Sequence, residues 1–185
     1  MASFGAKYIK FAQIKSEENG KLPTYDEAVE LGGLVKADLT VNLASGEIYA
    51  NNALDERIEE FVSGTLAVEV SDMTDEVESA VFGSTLKDEE LVDNTADTIP
   101  YGGIAYYKTL IRKGKKMYKA YYFPKAKAVL GNDSAATKGS SITLASTPLS
   151  FTIFEPDTGD WRYRQTFEKE EEAVAYVDGK LTTTA

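Results

Sequence analysis

The apolar residues of this chain recur at every second position over long stretches, and that period limits what it can build. Between residues 34 and 43, Val35, Ala37, Leu39, Val41 and Leu43 alternate with Lys36, Asp38, Thr40 and Asn42. Residues 64–70 repeat the pattern, with Leu66, Val68 and Val70 set against Thr65, Ala67 and Glu69. Successive side chains of a strand point to opposite faces, so each segment predicts a strand with one buried face and one wet or interface face. Residues 8–14, 48–50, 142–144, 149–154 and 161–167 also read as strands. In the last of these, Trp161 reads as an aromatic of the core or of a subunit contact.

The clearest hairpin spans residues 103–124. Two β-prone arms, 104–111 and 117–123, flank the turn Arg112-Lys113-Gly114-Lys115, where glycine supplies the positive φ that a short tip requires. Tyr106, Tyr107, Tyr118, Tyr121 and Tyr122 populate the arms. Aromatic pairs across strands stabilise such a ribbon by ~0.2–1 kcal/mol each.

Two segments read as helix. The first follows cap residues Ser71-Asp72-Met73-Thr74. It carries Asp75, Glu76 and Glu78 where acids favour the helix dipole, aligns Val77 and Val81, and stops at Gly83. The second runs from Glu168 to Val177, packs Ala173, Val174 and Val177, and ends at Asp178-Gly179. Residues 179–185 are expected to form a loose tail. Polar loops are expected at 16–24 and from Gly131 to Ser141. The sum is one domain over residues 1–185, mainly β: two packed antiparallel sheets, as a β-sandwich or partly closed barrel. A short helix flanks it and a second helix lies at the C-terminal end.

Two absences narrow the chemistry. Among 185 residues there is no Cys, so disulfides, thiolate nucleophiles and Cys-ligated metals are excluded. There is also no His, the usual general base near neutral pH and the commonest metal ligand. The pairs Gly32-Gly33 and Gly102-Gly103 fit neither a dinucleotide loop nor a phosphate loop, and turn or bulge roles are expected. Glu59-Glu60 and Asp88-Glu89-Glu90 have no partner fixed by spacing, and no calcium-loop pattern occurs. No catalytic, cofactor or metal residue is therefore assigned, and the chain is not expected to be an enzyme. No run approaches the ~18 apolar residues that a membrane span needs.

Charge is sorted along the sequence. Residues 69–97 hold ten acids against one base, Lys87, whereas residues 98–132 hold eight Lys or Arg and no acid. The net charge of −10 argues against nucleic acid as the main partner of the whole surface. One reading is that both charge sets are solvated. The sharper one is complementarity between copies: a basic tip (Arg112, Lys113, Lys115, Lys116) docking on an acidic surface (Glu89, Glu90, Asp93) of the next molecule. Heterologous contacts of that kind build rings or filaments. The alternative reading is a small β-barrel module that contacts nucleic acid or an acidic protein through the Lys/Tyr hairpin 104–124.

Several stretches taken in order resemble one family. Gly33-Leu34-Val35-Lys36-Ala37-Asp38-Leu39 and Ile48-Tyr49-Ala50-Asn51-Asn52 come first, then Gly64-Thr65-Leu66-Ala67-Val68-Glu69-Val70 and Val81-Phe82-Gly83. Residues 118–131, Thr137-Lys138-Gly139 and Ser150-Phe151-Thr152-Ile153-Phe154 complete the set. Together they are similar to the major tail proteins (tail-tube subunits) of long, non-contractile-tailed phages and prophages of Gram-positive bacteria. Asn51 departs from the Asp expected there. The resemblance implies two packed antiparallel sheets flanked by a helix. It also implies a virion protein of the tail, assembled in the host cytoplasm without membrane or cofactor. Six copies would form a ring, and stacked rings a tube through which DNA passes without specific binding. Tape-measure, tail-terminator and distal-tail proteins are the implied partners. The 16–24 loop, the 112–116 tip and the C-terminal tail are the expected assembly arms, and an acidic lumen is expected to repel DNA phosphates.

Overall fold

A computed structural model describes residues 2–50, 53–131 and 146–182. The chain is mainly β. Strands β1 (Ala2–Ser16), β2 (Thr24–Tyr25), β3 (Val29–Glu30), β4 (Leu34–Ala50) and β5 (Ala53–Val70) come first. Helix α1 (Asp75–Phe82) and the short strands β6 (Thr85–Lys87) and β7 (Glu90–Val92) follow. The remainder is β8 (Tyr101–Arg112), β9 (Lys115–Val129), β10 (Thr147–Ile153), β11 (Tyr163–Phe167) and α2 (Glu170–Leu181).

Two antiparallel sheets result. The large one has the order β2-β1-β8-β9-β10-β5-β4, with β3 on β1 and β11 on β9, and it does not close; β6 and β7 form the small one. The large sheet curls over its own apolar face, so that Phe11 on β1 meets Phe151 on β10 at 5.9 Å although two strands lie between them. Ile9, Leu31, Leu66, Val68, Ile104, Phe123 and Ile153 fill that interior, and Val81 of α1 joins them. A second cluster lies on the opposite face of β8 and β9, where Ala173, Val177 and Leu181 of α2 cover Ala105, Tyr107, Tyr118, Ala120 and Tyr122. The expected sandwich or partly closed barrel with two helices is therefore the observed fold.

Particular readings are met in different degrees. The alternation of residues 64–70 holds at every position. That of β4 holds at Ala37, Leu39 and Val41, but Val35 and Leu43 are exposed. The first sits at a register shift whose extra residue is Val35 itself, a bulge on β4. At the second the extra residue is Val62 on β5, so Leu43 keeps its face opposite Phe61 and is exposed because it lies beyond the packed body. The predicted strand 161–167 begins only at Tyr163. The predicted strand 142–144, the segments Asn51-Asn52 and Thr137-Lys138-Gly139, and residues 183–185 of the predicted tail lie outside the described residues.

The loose tail expected from residue 179 is corrected. Helix α2 continues through Gly179 and Lys180 to Leu181, which is fully buried and lies close to Gly103. Burying a Leu side chain stabilises by ~1.5–3 kcal/mol, more than the ~1 kcal/mol that a helical glycine costs. Lys180 adds to the anchor by lying over the rings of Tyr122, Tyr163 and Tyr176 at 5.0–5.7 Å. Helix α1 ends at Gly83 with φ 78, in the left-handed cap that the sequence requires.

A buried hydroxyl chain fixes β2 to β9. Tyr25 donates to the Pro124 carbonyl at 2.7 Å, so its single proton is used and Tyr122 donates to Tyr25. Tyr25→Phe removes the middle of the chain and strands two buried groups, the Tyr122 hydroxyl and the Pro124 carbonyl. Each unsatisfied group costs ~1–3 kcal/mol. Tyr122→Phe leaves the Tyr25–Pro124 bond intact. Denaturant melts are expected to show the larger loss for Tyr25→Phe, and equal losses would contradict the chain.

Candidate assembly surface

The most unusual element is the outer half of the β4–β5 hairpin. From Leu43↔Phe61 to Ala50↔Ala53 the two strands pair only with each other, while β10 reaches β5 no further than Gly64. This length of ribbon projects ~25 Å from the body at ~3.3 Å per residue. Every residue of it whose side chain is described is exposed except Phe61, which is half-buried. An isolated two-stranded ribbon is only marginally stable in water. Apolar side chains nevertheless ride on it: Leu43, Ile48 and Ile58 are 50–57% exposed, as is Val62 in the bulge at its base.

The two faces of this arm differ. Cross-strand partners share a face, so Ser45, Glu47, Arg57 and Glu59 lie together, and Arg57 pairs with both Glu47 and Glu59. The opposite face carries Ala44, Gly46, Ile48, Glu56, Ile58 and Glu60. Among the described residues, Glu56 and Glu60 have no ion pair. Beyond Leu43 and Phe61, satisfied charges thus occupy one face, and the uncovered Ile48 and Ile58 with free carboxylates occupy the other. The outer edge of β4 has no strand partner among the described residues along its whole length. A long open edge is a template for another chain.

At its root the arm is braced by stacked rings. Phe61 stacks on Trp161 with ring centroids 4.1 Å apart and planes 7° apart, and Arg162 lies over the Trp161 ring at 4.5 Å. Trp161, which the sequence places in the core or at a contact, braces the arm where the arm leaves the body. Gly32 fixes the approach of β4: its φ is 102, and a Cβ there would lie 2.1 Å from the Asp72 carbonyl oxygen. Only glycine fits.

The residues nominated from charge fall on two other hairpin tips. Arg112, Lys115 and Lys116 flank the two-residue turn Lys113-Gly114, in which both residues have positive φ, the geometry that matches strand twist. Glu89 and Glu90 sit at the β6–β7 tip, where Asp88 and Glu89 also have positive φ. No ion pair joins the acidic and basic sets among the described residues, although Lys116 lies over the Tyr118 ring at 5.3 Å. Asp93 differs: it accepts the Ser84 hydroxyl at 2.6 Å and ties the small hairpin to the end of α1. The 16–24 loop is tied back as well, with both Glu17 carboxylate oxygens 2.8 Å from the Lys125 ammonium.

The tyrosines of the 104–124 hairpin are not a stacking platform. Tyr106, Tyr107, Tyr118, Tyr121 and Tyr122 are all buried, and Tyr106 and Tyr121 stack on each other at 5.1 Å. Burial raises the phenols of Tyr106, Tyr107 and Tyr122, the last to about 12, so at neutral pH they remain uncharged hydroxyls. No group of three or more metal-ligating side chains occurs among the described residues, and no helix there is long and apolar enough to cross a membrane.

No protein-family model matches the chain, and no curated protein matches it significantly.

Of the arm, sequence pattern reveals the strand at residues 48–50, which falls in β4, but not the rest. Ser45-Gly46 reads as a break, and Asp55-Glu56-Arg57-Ile58-Glu59-Glu60 as solvated acid rather than strand. The available signal is its alternation of Ile58 and Phe61-Val62 with charge.

Proposed function

We propose that this chain is the structural subunit of a phage tail tube, assembling into stacked rings, six copies to a ring, that form the conduit for DNA ejection. The observation that supports it most is the β4–β5 arm. A ribbon with an open edge, exposed apolar side chains and unpaired carboxylates gains its stability from another molecule. The curled antiparallel sheet with helices outside it agrees with the fold that the family resemblance implies. Oppositely charged hairpin tips on one molecule favour head-to-tail contacts, which close into rings and stack. On this reading the molecule is a virion component with no catalytic or cofactor role. It meets tape-measure, tail-terminator and distal-tail proteins at the ends of the tube, and its acidic surface faces the DNA. Buried tyrosines leave a nucleic-acid module without its stacking surface.

Negative-stain electron microscopy of the concentrated protein tests the proposal. Rings or tubes of uniform diameter are the expected result. A single particle of about 20 kDa at every concentration and salt level would overturn it.

A further inference from the structure

Four cations gather where β11 joins β9. Lys108 and Lys119 are direct cross-strand partners, and both ammonium groups lie over the Tyr121 ring, at 5.2 and 5.6 Å. Arg164 is the cross-strand partner of Tyr121 on the other side, which places it on that same face. Arg162 follows Trp161 and, with Arg164, lines a surface depression of about 250 Å³. Like charges set directly opposite each other destabilise a sheet. Burial and the neighbouring Arg164 pull the Arg162 guanidinium below its usual range.

Nothing among the described residues balances this cluster, for none of the four makes an ion pair there. Two acids stand close, Asp38 beside Tyr106 and Asp160 in the depression. Asp38 is held by Lys36 at 2.6 Å, and Asp160 accepts the Tyr163 hydroxyl at 3.1 Å. Tyr121, beneath Lys108 and Lys119, is buried, and the Trp161 ring has Phe61 stacked on it and Arg162 over it, so a base has no free face to stack on. What the patch lacks is carboxylate.

We propose that Lys108, Lys119, Arg162 and Arg164 form the acceptor site for the β4–β5 arm of a second copy, whose Glu56 and Glu60 supply the missing counter-charges. Spacing supports the match. Glu56 and Glu60 are four residues apart on one strand, ~13 Å. Lys108 and Arg164 are separated by two strand spacings and two residues, ~12 Å. The acceptor adjoins Trp161, on which the molecule's own arm is rooted. An arm received there sets each copy's arm next to the root of its neighbour's, which propagates head to tail. This inference names the partner surface of the arm and rests on the self-assembly reading above.

Charge exchange tests it. Lys119→Glu/Arg164→Glu and Glu56→Lys/Glu60→Lys are each expected to raise the concentration needed for assembly by at least about a hundredfold, since like-charge juxtaposition costs several kcal/mol and each ~1.4 kcal/mol is tenfold. Their melting temperatures should match the wild type, and Lys119→Gln/Arg164→Gln provides a milder variant should the reversal disturb folding. Mixing the two reversed proteins is expected to restore assembly. Normal assembly of the Lys119/Arg164 variant would overturn the acceptor while leaving the tube reading intact. Loss in both variants without rescue on mixing would overturn the assignment of the arm as occupant. DNA retarded in a gel by wild type at physiological salt, but not by the Lys119/Arg164 variant, would overturn it in favour of a polyanion site. Failure of the wild type to assemble at all would sink the tube reading itself.

Discussion

Under the proposed assembly, replacing residues 45–59 with Asn-Gly is expected to abolish rings and tubes while leaving the domain folded. Ala44 and Glu60 are cross-strand partners, so a two-residue turn of that type closes the shortened hairpin. Phe61 is kept, and its stack on Trp161 with it. The described side chains removed, from Ser45 to Ile48 and from Glu56 to Glu59, are all exposed and contribute nothing to either apolar cluster. A change of ~1 kcal/mol moves the melting temperature of a domain this size by ~2–4 °C, and the shift should stay within about 4 °C. Sedimentation of concentrated variant and wild type gives the comparison. Tubes of normal diameter from the shortened chain would show that the arm is dispensable. A collapse in melting temperature would show that it belongs to the body.

The second large effect concerns Phe151. Strand β10 is the link between the β1-β8-β9 part of the sheet and the β5-β4 hairpin. Phe151 stands opposite Ala128 on β9 and Leu66 on β5, is fully buried, and meets Phe11 across the curl. Phe151→Ala opens a cavity at that junction and is expected to cost ~3–5 kcal/mol. Small domains have only ~5–15 kcal/mol in total, so a large part of the stability is lost and the melting temperature falls by roughly 6–20 °C. Ile48→Ala removes an apolar side chain too, but from the exposed arm, and is expected to stay within ~0.5 kcal/mol. Similar losses for the two substitutions, measured in thermal or urea melts, would contradict the division between packed body and unpartnered arm.

Local pattern is readable where one face of a strand packs on one core. Residues 64–70 alternate in the structure as they do in the sequence, and the 103–124 hairpin turns where Gly114 demands. Pattern fails where a neighbour decides the outcome. A bulge takes Val35 out of the alternation of β4, and Leu43 is exposed because the hairpin has by then left the body, neither of which the pattern of β4 alone contains. Helix α2 outruns its glycine because Leu181 has a pocket beside Gly103. The nominated tips at Arg112–Lys116 and Glu89-Glu90 do project, whereas Asp93 is spent on Ser84. The four-cation patch is out of reach of sequence reasoning altogether. Arg162 and Arg164 meet Lys108 and Lys119 only through the pairing of β11 with β9, which joins distant parts of the chain.

The exposed arm also has a consequence for descent. Body positions such as Phe11, Leu66 and Phe151 are held in place by the demand that one chain fold. The outward face of the arm answers to no interior of its own, so its composition is free to drift as fast as the surface receiving it allows. Natural variants are expected to change Ile48, Glu56, Ile58 and Glu60 far more readily than the core. Under the proposed assembly such changes should come in step with compensating ones on the receiving molecule, so that subunits of divergent lineages refuse to co-assemble.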